Sequence, residues 1–199
     1  MTIKAVIFDW GGVFTINGTF TGFCKYYGPK VGFDPVKLKK ASVKYWVPAS
    51  VGDLDSKLYW EKTAKEIGIN PVDFKRELLE FASYSPEVTN LLRKLKKNYK
   101  TALLSNQIED WLEELLNKYE LRDLFDVIVA SYNVKLVKPN PEIYKLTYNR
   151  LNLQPEECVF IDDVPENLLP AKELGMKTIL FNNFKQAQNE LKSLGVNCD

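Results

Sequence analysis

The segment Ile3-Lys4-Ala5-Val6-Ile7-Phe8-Asp9-Trp10-Gly11-Gly12-Val13 leads from an apolar stretch into an aspartate and a pair of glycines. Its apolar part alternates little with polar residues, which is typical of a strand buried on both faces of a parallel sheet. Four later stretches share this character, at residues 101–104, 127–130, 158–161 and 178–181. We therefore predict a parallel five-stranded sheet whose first strand ends before Asp9.

Helical patterns separate the later apolar stretches. They cover residues 85–98, 108–119, 141–151 and 165–174. Pro141 suits the first turn of its helix, and Gly175 suits the position after the end of the last one. This alternation of strands and helices predicts an α/β domain with a doubly wound, Rossmann-like sheet.

The segment between the first and second strands has a different pattern. It contains no convincing strand and predicts helices at residues 20–27, 35–45, 56–67 and 71–82, with Asp34, Asp55 and Asn70 as candidate N-caps. An ordinary loop is much shorter than this segment. We therefore predict an α-helical cap over residues 17–83, inserted into a core domain of residues 1–16 and 84–199.

The composition narrows the possible chemistry and partners. The chain has 199 residues and a formal net charge of +1, and no large basic block stands alone, so we expect no nucleic-acid partner. We find no signal peptide and no apolar stretch of membrane-spanning length, and we expect a cytoplasmic protein with no membrane partner. The sequence contains no histidine. Catalysis would therefore use carboxylates, lysine, hydroxyl groups or the backbone.

Polar residues follow the predicted strands at the ends where doubly wound sheets bind their ligands. Asp9 follows the first strand, and Ser105 and Asn106 follow the second. Lys138 lies beyond the third strand, and Asp162-Asp163 ends the fourth. Each residue alone has an ordinary explanation as a turn former, a helix cap or a surface lysine. Their shared position at strand ends instead favours a single site.

The residue types at this edge indicate phosphoryl transfer. Three crowded carboxylates repel one another unless a cation neutralises them, and ligation by oxygen without histidine or cysteine suits Mg²⁺. The hydroxyl of Ser105 and the backbone N–H of Asn106 precede a predicted helix, which is a suitable place for a phosphate group. The sequence thus predicts transfer to an aspartate, followed by hydrolysis of the aspartyl-phosphate by water.

At these residues the chain resembles the haloacid dehalogenase superfamily. Residues 9–13 resemble its first motif, Ser105 its second, Lys138 its third and Asp162-Asp163 its fourth. The segment Val137-Lys138-Pro139-Asn140-Pro141-Glu142-Ile143-Tyr144 is similar to the subfamily that includes the N-terminal phosphatase domain of soluble epoxide hydrolase. The resemblance covers nearly the whole chain and implies a Mg²⁺-dependent phosphatase acting on a small phosphorylated metabolite.

The resemblance implies a metal site at three positions. Asp9 would attack phosphorus and also bind Mg²⁺, and Asp163 would be the second carboxylate ligand. The backbone carbonyl of Gly11 would be a further metal contact, which a glycine still provides.

The resemblance also assigns roles around the metal site. Asp162 would lie behind the ligands and pair with Lys138, while Ser105 and Asn106 would hold the phosphoryl oxygens. Asn167 would orient the acidic loop. The helical cap would close over the site and exclude water. Substrate specificity is expected in the cap, near residues 46–53 and 17–22.

Gly11 departs from the phosphatase pattern of the superfamily. Most of its phosphatases carry an aspartate there as general acid and base, and general acid catalysis is worth about 10² to 10⁴ in rate. Thr15, Asn17 and carboxylates of the cap are candidate substitutes. The departure also keeps open a non-catalytic module that binds phosphate or metal and regulates a partner.

A 2-haloacid dehalogenase is a third alternative. Dehalogenases of the superfamily lack the double aspartate in the fourth motif and use an arginine of the cap. This chain keeps Asp162-Asp163, and its first 75 residues contain no arginine. The sequence thus disfavours dehalogenation, and it leaves the substrate and the oligomeric state open.

Overall fold

A computed structural model describes residues 2–15, 20–82 and 84–198. Within these residues the sheet consists of Ala5–Phe8 (β1), Lys100–Ser105 (β2), Val127–Ala130 (β3), Cys158–Asp162 (β4) and Lys177–Leu180 (β5). All neighbouring strands are parallel, in the order β3-β2-β1-β4-β5. The predicted α/β fold with a five-stranded parallel sheet is therefore confirmed. The order reverses at β1, so the topological switch point lies where β1 meets β4.

Four helices follow β1: Phe20–Lys30 (α1), Pro35–Ser50 (α2), Ser56–Ile67 (α3) and Pro71–Phe81 (α4). The side chains of Asp34, Asp55 and Asn70 accept hydrogen bonds from backbone N–H groups in the first turns of α2, α3 and α4, as predicted. Helix α2 continues beyond its predicted end at residue 45, and its last turn buries Ala49 and Ser50. The domain boundaries stay a prediction, since residues 16, 17 and 83 lie outside the described part of the chain.

Six further helices accompany the remaining strands: Pro86–Leu95 (α5), Glu109–Lys118 (α6), Ser131–Val134 (α7), Pro141–Arg150 (α8), Pro165–Glu173 (α9) and Phe184–Ser193 (α10). Sequence analysis found four of them and missed the single-turn α7 and the polar α10. No helix in the described part of the chain is long and apolar enough to cross a membrane.

Strand β1 is buried on both faces, as its uninterrupted apolar sequence predicted. Val6 and Phe8 contribute to a large apolar cluster with residues of α5, α6 and the four inserted helices. Ala5 and Ile7 contribute to a second cluster with residues of α8 and α9. Because both faces are packed, the backbone that leads into Asp9 is held firmly in the middle of the sheet.

The inserted helices are fastened to the core at the start of α6. The indole N–H of Trp60, from α3, donates to both carboxylate oxygens of Asp110 at 3.0 and 2.8 Å. Lys75, from α4, pairs with Asp110 at 3.0 Å and with Glu114 at 2.7 Å. These contacts tie two inserted helices to the helix that follows β2, beside the end of β1.

Candidate active site

A buried lysine joins two of the predicted carboxylates. Lys138 Nζ lies 2.7 Å from Asp9 Oδ1 and 2.6 Å from Asp162 Oδ2. All three side chains are withdrawn from solvent, with residue exposures of 5% for Lys138, 7% for Asp9 and 0% for Asp162. A buried lysine stays charged only with close partners. The sequence prediction that Lys138 and Asp162 pair therefore agrees with this geometry, which adds Asp9 to the pair.

The hydrogen bonds of Asp162 fix it behind the other two carboxylates. Besides Lys138, it accepts from the side-chain amide of Asn167, with both contacts at 3.1 Å. The backbone N–H of Val164 donates to its Oδ1 at 2.8 Å. Both oxygens of Asp162 thus already have donors within the protein, and Asn167 holds the acidic loop as the resemblance implied.

Asp9 and Asp163 are the carboxylates left to face a ligand. Asp9, Asp162 and Asp163 each place a carboxylate oxygen within 4.8 Å of the others. Burial raises the pKa of Asp9 to about 6, opposed by the charge of Lys138 and reinforced by that of Asp162. Burial and then the charge of Asp162 raise the pKa of Asp163. Crowded acids with raised pKa values favour a cation that relieves their repulsion.

The structure requires a glycine at position 12 but not at position 11. Gly12 has a φ of +71°, and a Cβ there would lie 2.0 Å from Asp163 Oδ2, so a side chain would collide with the acidic loop. Gly11 lies outside the left-handed region, and a Cβ there would meet no heavy atom within 4 Å. Only Gly12 is required by the backbone and by its close approach to Asp163.

Asn106 connects β2 to the segment that carries Lys138. Its side-chain amide donates to the carbonyl of Lys138 at 3.0 Å and accepts from the backbone N–H of Lys138 at 2.9 Å. Helix α6 begins only at Glu109, and its N-cap residue Ile108 makes no side-chain capping bond. Asn106 is thus three residues from the helix, farther than we expected, and its side chain positions the lysine segment.

An acidic cavity of about 300 Å³ opens at the carboxyl ends of β1, β2 and β4. Its lining brings together the predicted site residues apart from Asp162, which lies behind them. The lining residues are Asp9, Gly11, Gly12, Ser105, Asn106, Gln107, Lys138, Asp163, Val164 and Asn167.

Gln107 lines the acidic cavity but was not among the predicted site residues. It directly follows Ser105 and Asn106, and its exposure is 6%. Its backbone is held by Ser131, because the Gln107 N–H donates to Ser131 Oγ at 3.0 Å. Its position directly after two candidate site residues was the signal that the sequence offered.

The predicted specificity segments have mixed outcomes. None of residues 46–53 lines the acidic cavity in the described structure.

Asn17, one candidate proton donor, lies outside the described residues. Thr15, another candidate, is buried, and its hydroxyl oxygen accepts from the Gly12 N–H at 3.1 Å. No carboxylate of the inserted helices lines the acidic cavity within the described ranges.

Comparisons with known proteins agree with this architecture. The chain is 29% identical over 225 residues to bifunctional epoxide hydrolase 2 of Sus scrofa, an alignment that covers 98% of this chain and 39% of that protein. It is 36% identical over 106 residues to the phosphorylated carbohydrates phosphatase of Thermotoga maritima, covering 53% of this chain and 49% of that protein. The chain spans 19% to 39% of the length of four mammalian relatives that it matches.

A solved structure and a family model extend the likeness to most of the chain. A HAD family enzyme of Bacteroides thetaiotaomicron, solved with magnesium and inorganic phosphate, has a TM-score of 0.77 and 26% identity, covering 89% of this chain and 93% of that one. The family model for haloacid dehalogenase-like hydrolases matches residues 3–175. With its five-stranded parallel sheet and the acidic edge of that sheet, this chain belongs to the haloacid dehalogenase-like hydrolases.

Proposed function

We propose that this chain is a Mg²⁺-dependent phosphatase that acts on a small phosphorylated substrate through an aspartyl-phosphate on Asp9. The observation that carries the proposal is the buried contact of Lys138 with Asp9 and Asp162, beside Asp163 at the floor of one cavity. This arrangement leaves Asp9 available as the nucleophile. It also leaves Asp9 and Asp163 available as ligands of a cation. The relative solved with magnesium and inorganic phosphate gives further support.

The donor set fits Mg²⁺. Asp9 and Asp163 would hold it, with the backbone carbonyl of Gly11, and all of these ligand atoms are oxygens. When bound, Mg²⁺ neutralises negative charge on the carboxylates and on the phosphoryl oxygens. Asp162 is not needed as a ligand, because its oxygens accept from Lys138, Asn167 and Val164.

The nucleophile is the carboxylate of Asp9. Lys138 favours its ionised form against the effect of burial, so the carboxylate is available near neutral pH. It attacks phosphorus, and the bond from phosphorus to the leaving oxygen breaks. Water then attacks the phosphorus of the aspartyl-phosphate, which releases phosphate and restores Asp9. Ser105 lines the same cavity and would hold a phosphoryl oxygen through its hydroxyl.

A binding module is the alternative that a specific observation favours. Gly11 supplies no acid, and Asp9 and Asp163 are the only carboxylates among the described residues that line the acidic cavity. Dehalogenation has less support, since no arginine lines that cavity within the same residues. The contact of Lys138 with Asp9 favours catalysis, because a module that only binds phosphate does not need a lysine beside the carboxylate that would act as nucleophile.

A phosphate-release screen tests the proposal. Wild-type protein and Asp9→Asn are incubated with a panel of phosphorylated metabolites and with p-nitrophenyl phosphate, in Mg²⁺ and again in EDTA. We expect release by the wild type in Mg²⁺ alone and none by Asp9→Asn. Asp53→Asn is the matched control, because Asp53 is an exposed carboxylate that pairs with Lys135 and does not line the acidic cavity.

Binding of a phosphoryl mimic separates loss of chemistry from loss of folding. Beryllofluoride with Mg²⁺ should raise the melting temperature of the wild type and of Asp53→Asn but not that of folded Asp9→Asn. Turnover by Asp9→Asn near the wild-type rate would assign the nucleophile to another residue.

A further inference from the structure

A buried serine at the start of α7 contacts the loop that follows β2. Strands β2 and β3 are paired as far as Ser105 and Ala130, and the chain then turns from β3 into the single-turn helix α7. Ser131 is the first residue of that helix, and its exposure is 0%. Because its backbone belongs to the helix at the point where the strand pairing ends, its side chain makes the contact with the segment beyond Ser105.

The hydroxyl of Ser131 bonds to the backbone of Gln107 twice. It accepts from the Gln107 N–H at 3.0 Å and donates to the Gln107 carbonyl at 3.3 Å, and both bonds are buried. A hydroxyl offers one donor and two acceptor sites, so a single serine can satisfy both backbone groups. The peptide groups on both sides of Gln107 are thereby fixed, although residues 106–108 belong to no helix or strand.

A second pair of hydrogen bonds leads from this loop to the reactive groups. The side chain of Asn106, the neighbour of Gln107, bonds to the carbonyl and to the N–H of Lys138 at 3.0 and 2.9 Å. Lys138 Nζ in turn lies 2.7 Å from Asp9 Oδ1. A continuous series of contacts therefore runs from Ser131 through the loop and the lysine to the carboxylate of the proposed nucleophile.

The residues around Ser131 are themselves anchored on both sides of the loop. Ala130, before it, is paired with the end of β2. Tyr132, after it, donates through its hydroxyl to Glu113 Oε1 of α6 at 2.9 Å. Helix α6 begins two residues after Gln107. The loop thus connects two elements, β2 and α6, that the neighbours of Ser131 hold in place, so Ser131 offers it a fixed support.

We propose that Ser131 is a positioning residue for phosphoryl transfer, a proposal that rests on the phosphatase function above. By holding the backbone of Gln107, it fixes Asn106, whose side chain places the lysine segment and whose backbone N–H would hold a phosphoryl oxygen. Ser131 does not line the acidic cavity, so it acts through the loop. Such support matters because a displacement of about 1 Å at a reacting group can cost about 100-fold in rate.

Ser131→Ala removes the hydroxyl and tests the proposal with p-nitrophenyl phosphate in Mg²⁺. We expect kcat to fall about tenfold and KM to change less than about threefold, because the reacting groups must be aligned most accurately in the transition state. Stabilisation by beryllofluoride with Mg²⁺ should also weaken, since that mimic occupies the phosphoryl position on Asp9. The rise in melting temperature caused by Mg²⁺ alone should be retained, because Asp9 and Asp163 keep their carboxylates.

Thr147→Val is the matched control for the loss of a buried hydroxyl. Thr147 is as buried as Ser131, and its hydroxyl donates to the Ile143 carbonyl within α8 at 2.7 Å. It does not line the acidic cavity. Thr147→Val should lower the melting temperature, as Ser131→Ala does, but leave kcat and the beryllofluoride response unchanged. A merely structural role of Ser131 would give this same pattern in Ser131→Ala.

The outcomes separate this inference from the proposed function. A folded Ser131→Ala with a kcat as high as that of Thr147→Val, or with an equally large loss of the Mg²⁺ response, would overturn the positioning role. If Ser131→Ala does not fold, Ser131→Cys, whose thiol hydrogen-bonds only weakly, is judged by the same criterion. In each case, Mg²⁺-dependent hydrolysis by the wild type would leave the phosphatase function standing. A wild type that cleaves no phosphate compound in Mg²⁺ would overturn both.

Discussion

Replacing Gly11 with aspartate tests whether a missing proton donor limits this site. Gly11 has no left-handed backbone, and a Cβ there meets no heavy atom within 4 Å. Gly11→Asp should therefore fold. The new carboxylate joins Asp9 and Asp163, so we expect stability in EDTA to fall by about 1–3 kcal/mol. For a chain of this length, that loss of stability lowers the melting temperature by about 2–12 °C. Mg²⁺ should reduce the difference in melting temperature between Gly11→Asp and the wild type.

The expected gain in rate depends on the leaving group. General acid catalysis is worth about 10² to 10⁴ in rate, and an alkyl phosphate such as glycerol phosphate should gain toward that range in Gly11→Asp. An aryl phosphate such as p-nitrophenyl phosphate leaves as a stabilised anion and should gain less than about tenfold. Both are measured as kcat/KM in Mg²⁺, and the quantity compared is the ratio of the two gains.

Two controls decide how the result is interpreted. Gly11→Asn adds a side chain of nearly equal size without an acid and should give no selective gain for glycerol phosphate. Gly12→Ala places a Cβ on a backbone with a φ of +71°, 2.0 Å from Asp163 Oδ2, and should lower both rates and the response to Mg²⁺. Equal gains on both substrates in Gly11→Asp would refute the proton-donor reasoning. If wild type and folded Gly11→Asp bind Mg²⁺ and phosphate yet cleave neither substrate, the binding-module function replaces catalysis.

Three further substitutions test the architecture of the site. Lys138→Met leaves two carboxylates buried without their cation and should lower the free energy of unfolding by about 3–5 kcal/mol, measured by urea denaturation with EDTA. The control Lys135→Met breaks an exposed ion pair and should lower it by at most about 1 kcal/mol. Equal losses in the two variants would contradict the role of the buried contact. Asp163→Asn should strongly reduce the rise in melting temperature caused by Mg²⁺, and an unchanged rise would remove Asp163 from the ligands. Asn106→Leu removes both hydrogen bonds to the backbone of Lys138 and should cost about 1–3 kcal/mol and lower kcat, whereas an unchanged kcat would show that the lysine is placed without Asn106.

The sheet and the positions of its carboxylates could be predicted because they depend on burial and topology. A strand buried on both faces needs an uninterrupted apolar sequence. Parallel strands bring Asp9, Ser105 and Asp163 to one edge of the sheet, independently of how the connecting loops fold. Helix α10 was missed because its sequence, from Phe184 to Ser193, is mostly polar and buries only Ala187 and Leu191.

The finer geometry of the site depends on side-chain directions that no pattern encodes. The phosphate cradle of the Ser105 hydroxyl and the Asn106 backbone N–H stays a prediction. The sequence did not show that the side-chain amide of Asn106 bonds to the backbone of Lys138, or that the helix begins at Glu109. Gln107 carries no motif of its own. It became a candidate only when the structure placed this buried residue in the lining of the acidic cavity. Such contacts arise from packing between segments far apart in the chain.

The glycine pair after Trp10 shows why a motif position needs both views. In the sequence, Gly11 and Gly12 are equivalent members of one turn. In the structure, Gly12 is required by its positive φ and by its contact with Asp163, whereas Gly11 has an ordinary backbone and open space around it. Neither strain nor crowding therefore requires a glycine at position 11. A leaving group that needs no proton would make an acid at this position unnecessary, and the two gains in rate of Gly11→Asp test that explanation.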